Sequence, residues 1–171
     1  MEASEYIQTL KKQHNIVFGS HQHSTAKPCT WLKKSLKNEG VCYKQKFYGI
    51  DCHRCLQMTP NIYCNQRCVF CWIVFDEKTD PIPTSWDEPR EIVEESFKAQ
   101  RKLITGFGGN DKVDKKKFEE AQQPNQVALS LTGEPTGYPY LDELIEEYRK
   151  ENCSTFVVSN GLYPEMINKI N

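Results

Sequence analysis

Three cysteines crowded into one short segment constrain this chain more than any other feature of its sequence. Residues 64–71 read Cys-Asn-Gln-Arg-Cys-Val-Phe-Cys, which defines a first cysteine group of Cys64, Cys68 and Cys71. Thiols spaced this closely can reach three corners of one cubane iron–sulfur cluster and leave its fourth iron without a cysteine ligand. An open metal position is typical of a catalytic site, although the spacing alone also suits zinc or chance.

The pattern after this segment indicates an α/β fold. Short apolar runs at 127–131 and 155–159 predict buried parallel strands, and helices are expected from Pro89, over 114–122, over 140–150 and from Pro164. Alternating strands and helices predict βαβ units. A closed eight-stranded barrel takes ~200 residues or more, so we expect an incomplete, open barrel or a part of a longer chain.

Further polar residues follow the predicted strands, where parallel-sheet enzymes keep their sites. Gly133 and Glu134 come after the first strand, and Asn160 after the second. Together with the cysteine motif they resemble the radical S-adenosylmethionine (SAM) superfamily. That resemblance implies that Phe70 lies against the adenine of SAM, that the backbone at Gly133 and Glu134 binds its amino group, and that Asn160 touches its ribose or carboxylate.

A second cysteine group, Cys29, Cys42 and Cys55, lies upstream with a spacing of thirteen residues each time. Cys52 adds a Cys-x-x-Cys pair with Cys55. One interpretation is a four-cysteine zinc site that includes Cys52. The other is a second three-cysteine iron–sulfur cluster with its own open iron.

Several segments together are similar to the archaeal-type tRNA 4-demethylwyosine synthases, from Lys27 to the end of the chain. The segments that carry the resemblance include Lys27-Pro28-Cys29, His-Arg-Cys-Leu-Gln-Met-Thr-Pro at 53–60, Leu-Thr-Gly-Glu-Pro at 131–135 and Val-Ser-Asn-Gly at 158–161. The combination is far more specific than any one segment. Cys52 stands where the resemblance suggests a small hydroxyl residue, and two roles are open for it: a spare thiol or a fourth cluster ligand.

The resemblance implies a reaction and its partners. N1-methylguanosine of phenylalanine tRNA condenses with pyruvate to form 4-demethylwyosine, with SAM and two [4Fe–4S] clusters as cofactors and an external electron donor. The first cysteine group holds the cluster that cleaves SAM, and the second group holds a cluster that binds pyruvate. Lys44 forms a Schiff base with the pyruvate ketone. Residues 1–57 are then a cysteine-rich extension, and residues 58–171 the first βα units of a radical SAM barrel.

Composition predicts an ordinary soluble protein, with 38% hydrophobic and 26% charged residues. The N-terminus lacks the features of a signal peptide, and no apolar run is long enough to span a membrane, so the cytoplasm is expected. Residues 1–71 carry a net charge of +6 and residues 72–171 a net charge of −7, so the cysteine-rich half suits a polyanion such as RNA. Two alternatives stay open: another radical SAM activating enzyme, which needs only the first cysteine group, and a zinc-binding RNA module.

Two local expectations concern the first half of the chain. Residues 41–50 are expected to contain short extended pieces. His21 and His23 fall in a polar stretch and are expected at the surface.

Overall fold

A mixed five-stranded sheet forms the centre of the protein, in a computed structural model that describes residues 3–71 and 83–170. The strands lie in chain order: β1 (Ile16–Phe18), β2 (Ser24–Ala26), β3 (Cys55–Thr59), β4 (Gln126–Leu129) and β5 (Ser154–Val157). β1 and β2 pair antiparallel, as do β2 and β3, whereas β3, β4 and β5 run parallel. The parallel half confirms the predicted βαβ units.

The described residues also form seven α-helices. They are α1 (Ala3–Lys12), α2 (Thr30–Leu36), α3 (Tyr43–Tyr48), α4 (Pro89–Ile104), α5 (Lys115–Glu120), α6 (Leu141–Lys150) and α7 (Pro164–Lys169). The four helices predicted after residue 83 are confirmed. Helix α4 begins at Pro89 because a first-turn residue needs no N–H inside the helix. Within 3–71 and 83–170, no helix is long and apolar enough to cross a lipid bilayer.

The two faces of the parallel strands contact different parts of the protein, because successive side chains of a strand point to opposite sides of the sheet. One face packs into the main core with side chains of α4 and α6, through Leu56, Met58, Val127 and Leu129. On the other face, neighbouring residues of β3, β4 and β5 form one row, which consists of Gln57, Ala128 and Phe156. This second row turns towards the cysteine-rich segment.

Residues 43–48 form helix α3, so the expectation of extended structure over 41–50 is wrong. Aromatic residues favour strands only where a neighbouring strand can pair with them. Here β2 and β3 already pair with each other, and a short helix satisfies its own backbone hydrogen bonds instead. Cys42 precedes the helix in an extended conformation, and Gly49 ends it with a φ of 67°.

Two other expectations need correction. Strand β5 is half-buried where a buried strand was expected, because it forms one edge of the described sheet. His23 is fully buried where a surface position was expected. Its Nδ1 lies 2.7 Å from the carbonyl oxygen of Pro60, and its Nε2 accepts a hydrogen bond of 2.8 Å from the backbone N–H of Asp87. The histidine therefore ties the β1–β2 hairpin to the residues that lead into α4.

His23 should make the stability of the fold depend on pH. Burial lowers its pKa below the ordinary value of 6.5. The unfolded chain then binds more protons than the folded one between the two pKa values, so stability is full above about pH 6.5 and decreases as the pH falls below it. We expect His23→Gln to weaken this dependence, measured by urea unfolding from about pH 5 to pH 8.

The exposed His14, which has a φ of 64°, gives a matched control. His14→Asn should keep the pH dependence of the parent chain, because Asn tolerates the left-handed conformation. Equal pH dependence in the parent chain and in His23→Gln would contradict this role of His23.

Candidate active site

A cavity of about 360 Å³ opens where the parallel strands end, and we call it the edge cavity. The loop that follows β3 supplies the first cysteine group, the loop that follows β4 supplies residues 130–135, and the loop that follows β5 supplies residues 158–160. All the residues that the sequence predicts for the first cluster and for SAM line it, namely Cys64, Phe70, Cys68, Cys71, Gly133, Glu134 and Asn160.

The backbone at Gly133 lies against the loop that leads to the cysteines. Gly133 has a φ of 66°, and a Cβ added there would lie 2.0 Å from the carbonyl oxygen of Asn61. Only glycine combines this conformation with so close an approach. The absent side chain therefore lets the backbone at Asn61 and Ile62 pass directly against Gly133.

Glu134 joins all three loops of the edge cavity, a role that the sequence motif did not predict. Its Oε1 accepts from the backbone N–H and the hydroxyl of Thr136, at 3.1 and 2.5 Å, and its Oε2 accepts from the backbone N–H of Asn160 at 2.7 Å. Its own backbone N–H donates to Tyr63, and its carbonyl accepts from Asn61. A buried carboxylate needs such partners, and here they fix the loops relative to one another.

Asn160 connects the loop after β5 with the cysteine loop. Its Nδ2 donates to Oδ1 of Asn65 at 2.9 Å and to the sulfur of Cys64 at 3.8 Å. Phe70 is 87% exposed and lies at the mouth of the cavity, where a planar ring of a ligand could cover it. The three cysteines are half-buried or exposed, so an incoming cluster can reach them.

Tyr6 of α1 also lines the edge cavity, and sequence reasoning missed it. It is buried, its hydroxyl donates to the carbonyl of Ile62 at 3.2 Å, and it lies 3.5 Å from the hydroxyl of Thr132. The apolar positions Ile7 and Leu10 were the available signal that this segment packs against the rest of the chain.

A second cavity, of about 210 Å³, lies between the second face of the sheet and the cysteine-rich segment, and we call it the face cavity. It contains the second cysteine group together with Lys44, Cys52 and the strand residues Gln57 and Ala128. Ser130, which follows β4, lines both cavities, so the two are neighbours. The structure thus brings together the upstream residues that the sequence singled out.

Lys44 points its amine into the cysteines of the face cavity. Its Nζ donates to the sulfur of Cys55 at 3.6 Å and lies 5.1 Å from the centre of the Phe156 ring, a cation–π contact. Burial raises the pKa of the Cys55 thiol to about 11, against the opposing effect of the Lys44 charge. A metal centre bound here must therefore displace the thiol protons.

The thiols of both cavities fit a cluster better than a single ion. Among the described residues, no three His, Cys, Asp or Glu side chains already converge as ligands of one metal ion. A cubane cluster takes its cysteines on different iron atoms, so they need not meet at one point.

An α/β sheet whose strand ends carry a three-cysteine loop, a glycine–glutamate turn and an asparagine defines a radical SAM domain. The sequence profile of the Radical SAM superfamily matches residues 58–171, and the chain belongs to that superfamily. Membership implies a [4Fe–4S] cluster and SAM as cofactors.

More specific relatives are tRNA-modifying enzymes. The chain is 51% identical over 168 residues to the SAM-dependent tRNA 4-demethylwyosine synthase of Pyrococcus horikoshii. The matched region covers 97% of this chain and 48% of that protein. It is 42% identical to the enzyme of the same name from Methanocaldococcus jannaschii, over 99% of this chain and 56% of that protein. The chain therefore spans about half the length of these relatives.

A solved structure has the same architecture. The structure of TYW1 with a lysine–pyruvate adduct bound matches this chain with a TM-score of 0.87 at 43% identity, over 100% of this chain and 55% of that one.

Gly133 and Gly49 allow the close approach in the edge cavity to be tested. The two have φ angles of 66° and 67°, but a Cβ at Gly49 would meet nothing within 4 Å. Gly49→Ala should cost about 1–2 kcal/mol in the free energy of unfolding, from the left-handed conformation alone. Gly133→Ala should cost at least about 2 kcal/mol more, because backbone atoms must move. Urea unfolding measures both, and equal losses would contradict the close approach.

Proposed function

We propose that this chain carries the two cofactor sites of a tRNA 4-demethylwyosine synthase, which condenses N1-methylguanosine of phenylalanine tRNA with pyruvate. One observation carries the proposal: the amine of Lys44 lies in a cysteine-lined cavity next to the cavity of the first cysteine group. A reaction that joins a radical on one substrate to a held second substrate needs two such neighbouring sites. The relatives named above support the same activity.

In the edge cavity, the first cysteine group holds one cluster and the neighbouring side chains position SAM. Phe70 covers the adenine, the backbone at Gly133 and Glu134 binds the amino group, and Asn160 binds the ribose or carboxylate. A cluster held by Cys64, Cys68 and Cys71 would supply the electron that splits SAM, and SAM would supply the deoxyadenosyl radical that abstracts hydrogen from the N1-methyl group. The loops contribute by excluding water and by fixing SAM, and the Glu134 carboxylate keeps them in register.

In the face cavity, the second cysteine group holds a second cluster, and residues 1–57 supply most of that site. On this proposal the sheet is the first part of an open (β/α) barrel, and the cysteine-rich extension adds β1, β2, α2 and α3 in front of it. The alternative of a zinc site is less well supported, because the described thiols do not converge on one point.

Lys44 holds pyruvate as a covalent adduct. Nζ first gives a proton to solvent; the amine then adds to the ketone carbon, water leaves, and a C=N bond joins Nζ to the former ketone. The solved TYW1 structure with a lysine–pyruvate adduct supports this role. Held in this way, the acceptor does not need to diffuse to the radical.

The remaining partners follow from charge and chemistry. The basic first half of the chain, with its net charge of +6 over residues 1–71, is the proposed contact for tRNA. An external carrier supplies electrons to the clusters, and the cytoplasm is the proposed compartment.

Two variants should separate the two sites. Reconstituted protein with labelled pyruvate should give a borohydride-stable label on Lys44, and Lys44→Ala should lose that label while it still cleaves SAM to deoxyadenosine. Cys68→Ala should do the reverse: it keeps the label and loses SAM cleavage by about a thousandfold or more.

The matched control is Lys46, an exposed lysine on the same helix. Lys46→Ala should keep both the label and SAM cleavage. A label that persists in Lys44→Ala, or one that is shared by Lys44 and Lys46, would refute the role of Lys44.

A further inference from the structure

The face cavity contains four cysteine thiols, although three are enough to hold a cluster with an open iron. Cys52 lines it together with the second cysteine group, and only 1% of Cys52 is exposed. Its side chain therefore lies in the same cavity as the thiols of Cys29, Cys42 and Cys55. By position, Cys52 is thus equivalent to the other three.

The local structure holds Cys52 firmly at this place. It begins a 3₁₀ turn, Cys52–Arg54, that leads into β3. The backbone N–H of Cys52 donates to Oε1 of Gln45 on α3, and the Nε2 of His53 lies 2.7 Å from the Oε2 of Glu120 on α5. A turn fixed from both sides presents Cys52 and Cys55 to the same cavity, with the Cys-x-x-Cys spacing of paired metal ligands.

We propose that Cys52 is a fourth thiol ligand at the second cluster, which covers the open iron until a 2-keto acid displaces it. This inference rests on the proposed second cluster. The Cys52 thiol releases its proton to solvent as its sulfur binds iron. It takes a proton back when the carboxylate and ketone oxygens of the keto acid replace it, and no electron is gained or lost.

Such an exchange suits the surroundings of Cys52. The displaced thiol stays in the buried part of the face cavity, beside the second cysteine group. The keto acid enters next to Lys44, which lies on the helix whose Gln45 anchors Cys52. Cys52 therefore protects the iron from oxidation while no substrate is present. When the keto acid binds, Cys52 dissociates from the iron, and the amine of Lys44 can reach the bound ketone.

Oxidation with ferricyanide tests directly whether Cys52 is a ligand. On oxidation, a four-iron cluster loses the iron that has no cysteine ligand. The three-iron cluster that remains has its own EPR signal. The Cys64→Ala/Cys68→Ala/Cys71→Ala chain, reconstituted with iron and sulfide, isolates the second cluster and should bind about four iron atoms. With Cys52 present, we expect a weak three-iron signal; with Cys52→Ala added, the signal should be about fivefold larger or more.

Controls separate this result from a general loosening of the protein. Cys153→Ala removes a buried thiol that lies outside the face cavity and should leave the weak signal unchanged. Pyruvate should raise the signal of the chain with Cys52 towards that of Cys52→Ala, whereas lactate, which has no ketone, should not. Equal three-iron signals with and without Cys52 would overturn the proposal.

Failure of the underlying second cluster gives a different result, since the triple variant would then bind no iron. If the triple variant does not fold, the same oxidation of the otherwise unchanged chain decides the matter. It should yield about one three-iron centre per chain with Cys52 and about two with Cys52→Ala. Two centres in both chains would also overturn the proposal.

Discussion

The parallel pairing of β3 with β4 is the contact on which the rest of the structure depends. Four residue pairs, from Cys55 with Gln126 to Met58 with Leu129, set the register of the two strands. β3 begins at a cysteine of the second group and ends just before the loop of the first group, and β4 ends just before Gly133. One strand pair therefore positions the face cavity along its length and the edge cavity at its end.

The loops at the end of the sheet need a second constraint, and the buried carboxylate of Glu134 provides it. An unpaired carboxylate in this position would be costly, so its contacts to Thr136 and Asn160 act together. Gly133 completes the arrangement, because its missing side chain lets the chain pass against Asn61. These contacts fix the shape of the edge cavity, which is the preorganisation that radical chemistry needs.

Much of this site could be predicted from the sequence, because spacing and strand ends carry the information. Three cysteines within eight residues can only share one site, and Gly133 and Asn160 follow apolar runs that read clearly as strands. Contacts between distant segments could not be predicted. Nothing local in the sequence indicates that His23 is buried against Asp87, or that Tyr6 reaches the edge cavity. Helix α3 was not predicted, because its aromatic residues are typical of strands. Among the described strands none pairs with this segment, so it forms a helix.

The central proposal is that the two cysteine groups hold two neighbouring clusters, one at the ends of the parallel strands and one along a face of the same sheet. The EPR spectrum of the fully reconstituted, fully reduced protein tests this most directly, since neighbouring paramagnetic clusters broaden and split each other's signals. We predict an interaction signal that disappears when Cys68→Ala removes the first cluster, or when the double change Cys42→Ala/Cys55→Ala leaves too few thiols in the face cavity for the second. A spectrum equal to the sum of the spectra of the two single-cluster variants would contradict the placement of two neighbouring clusters on this sheet.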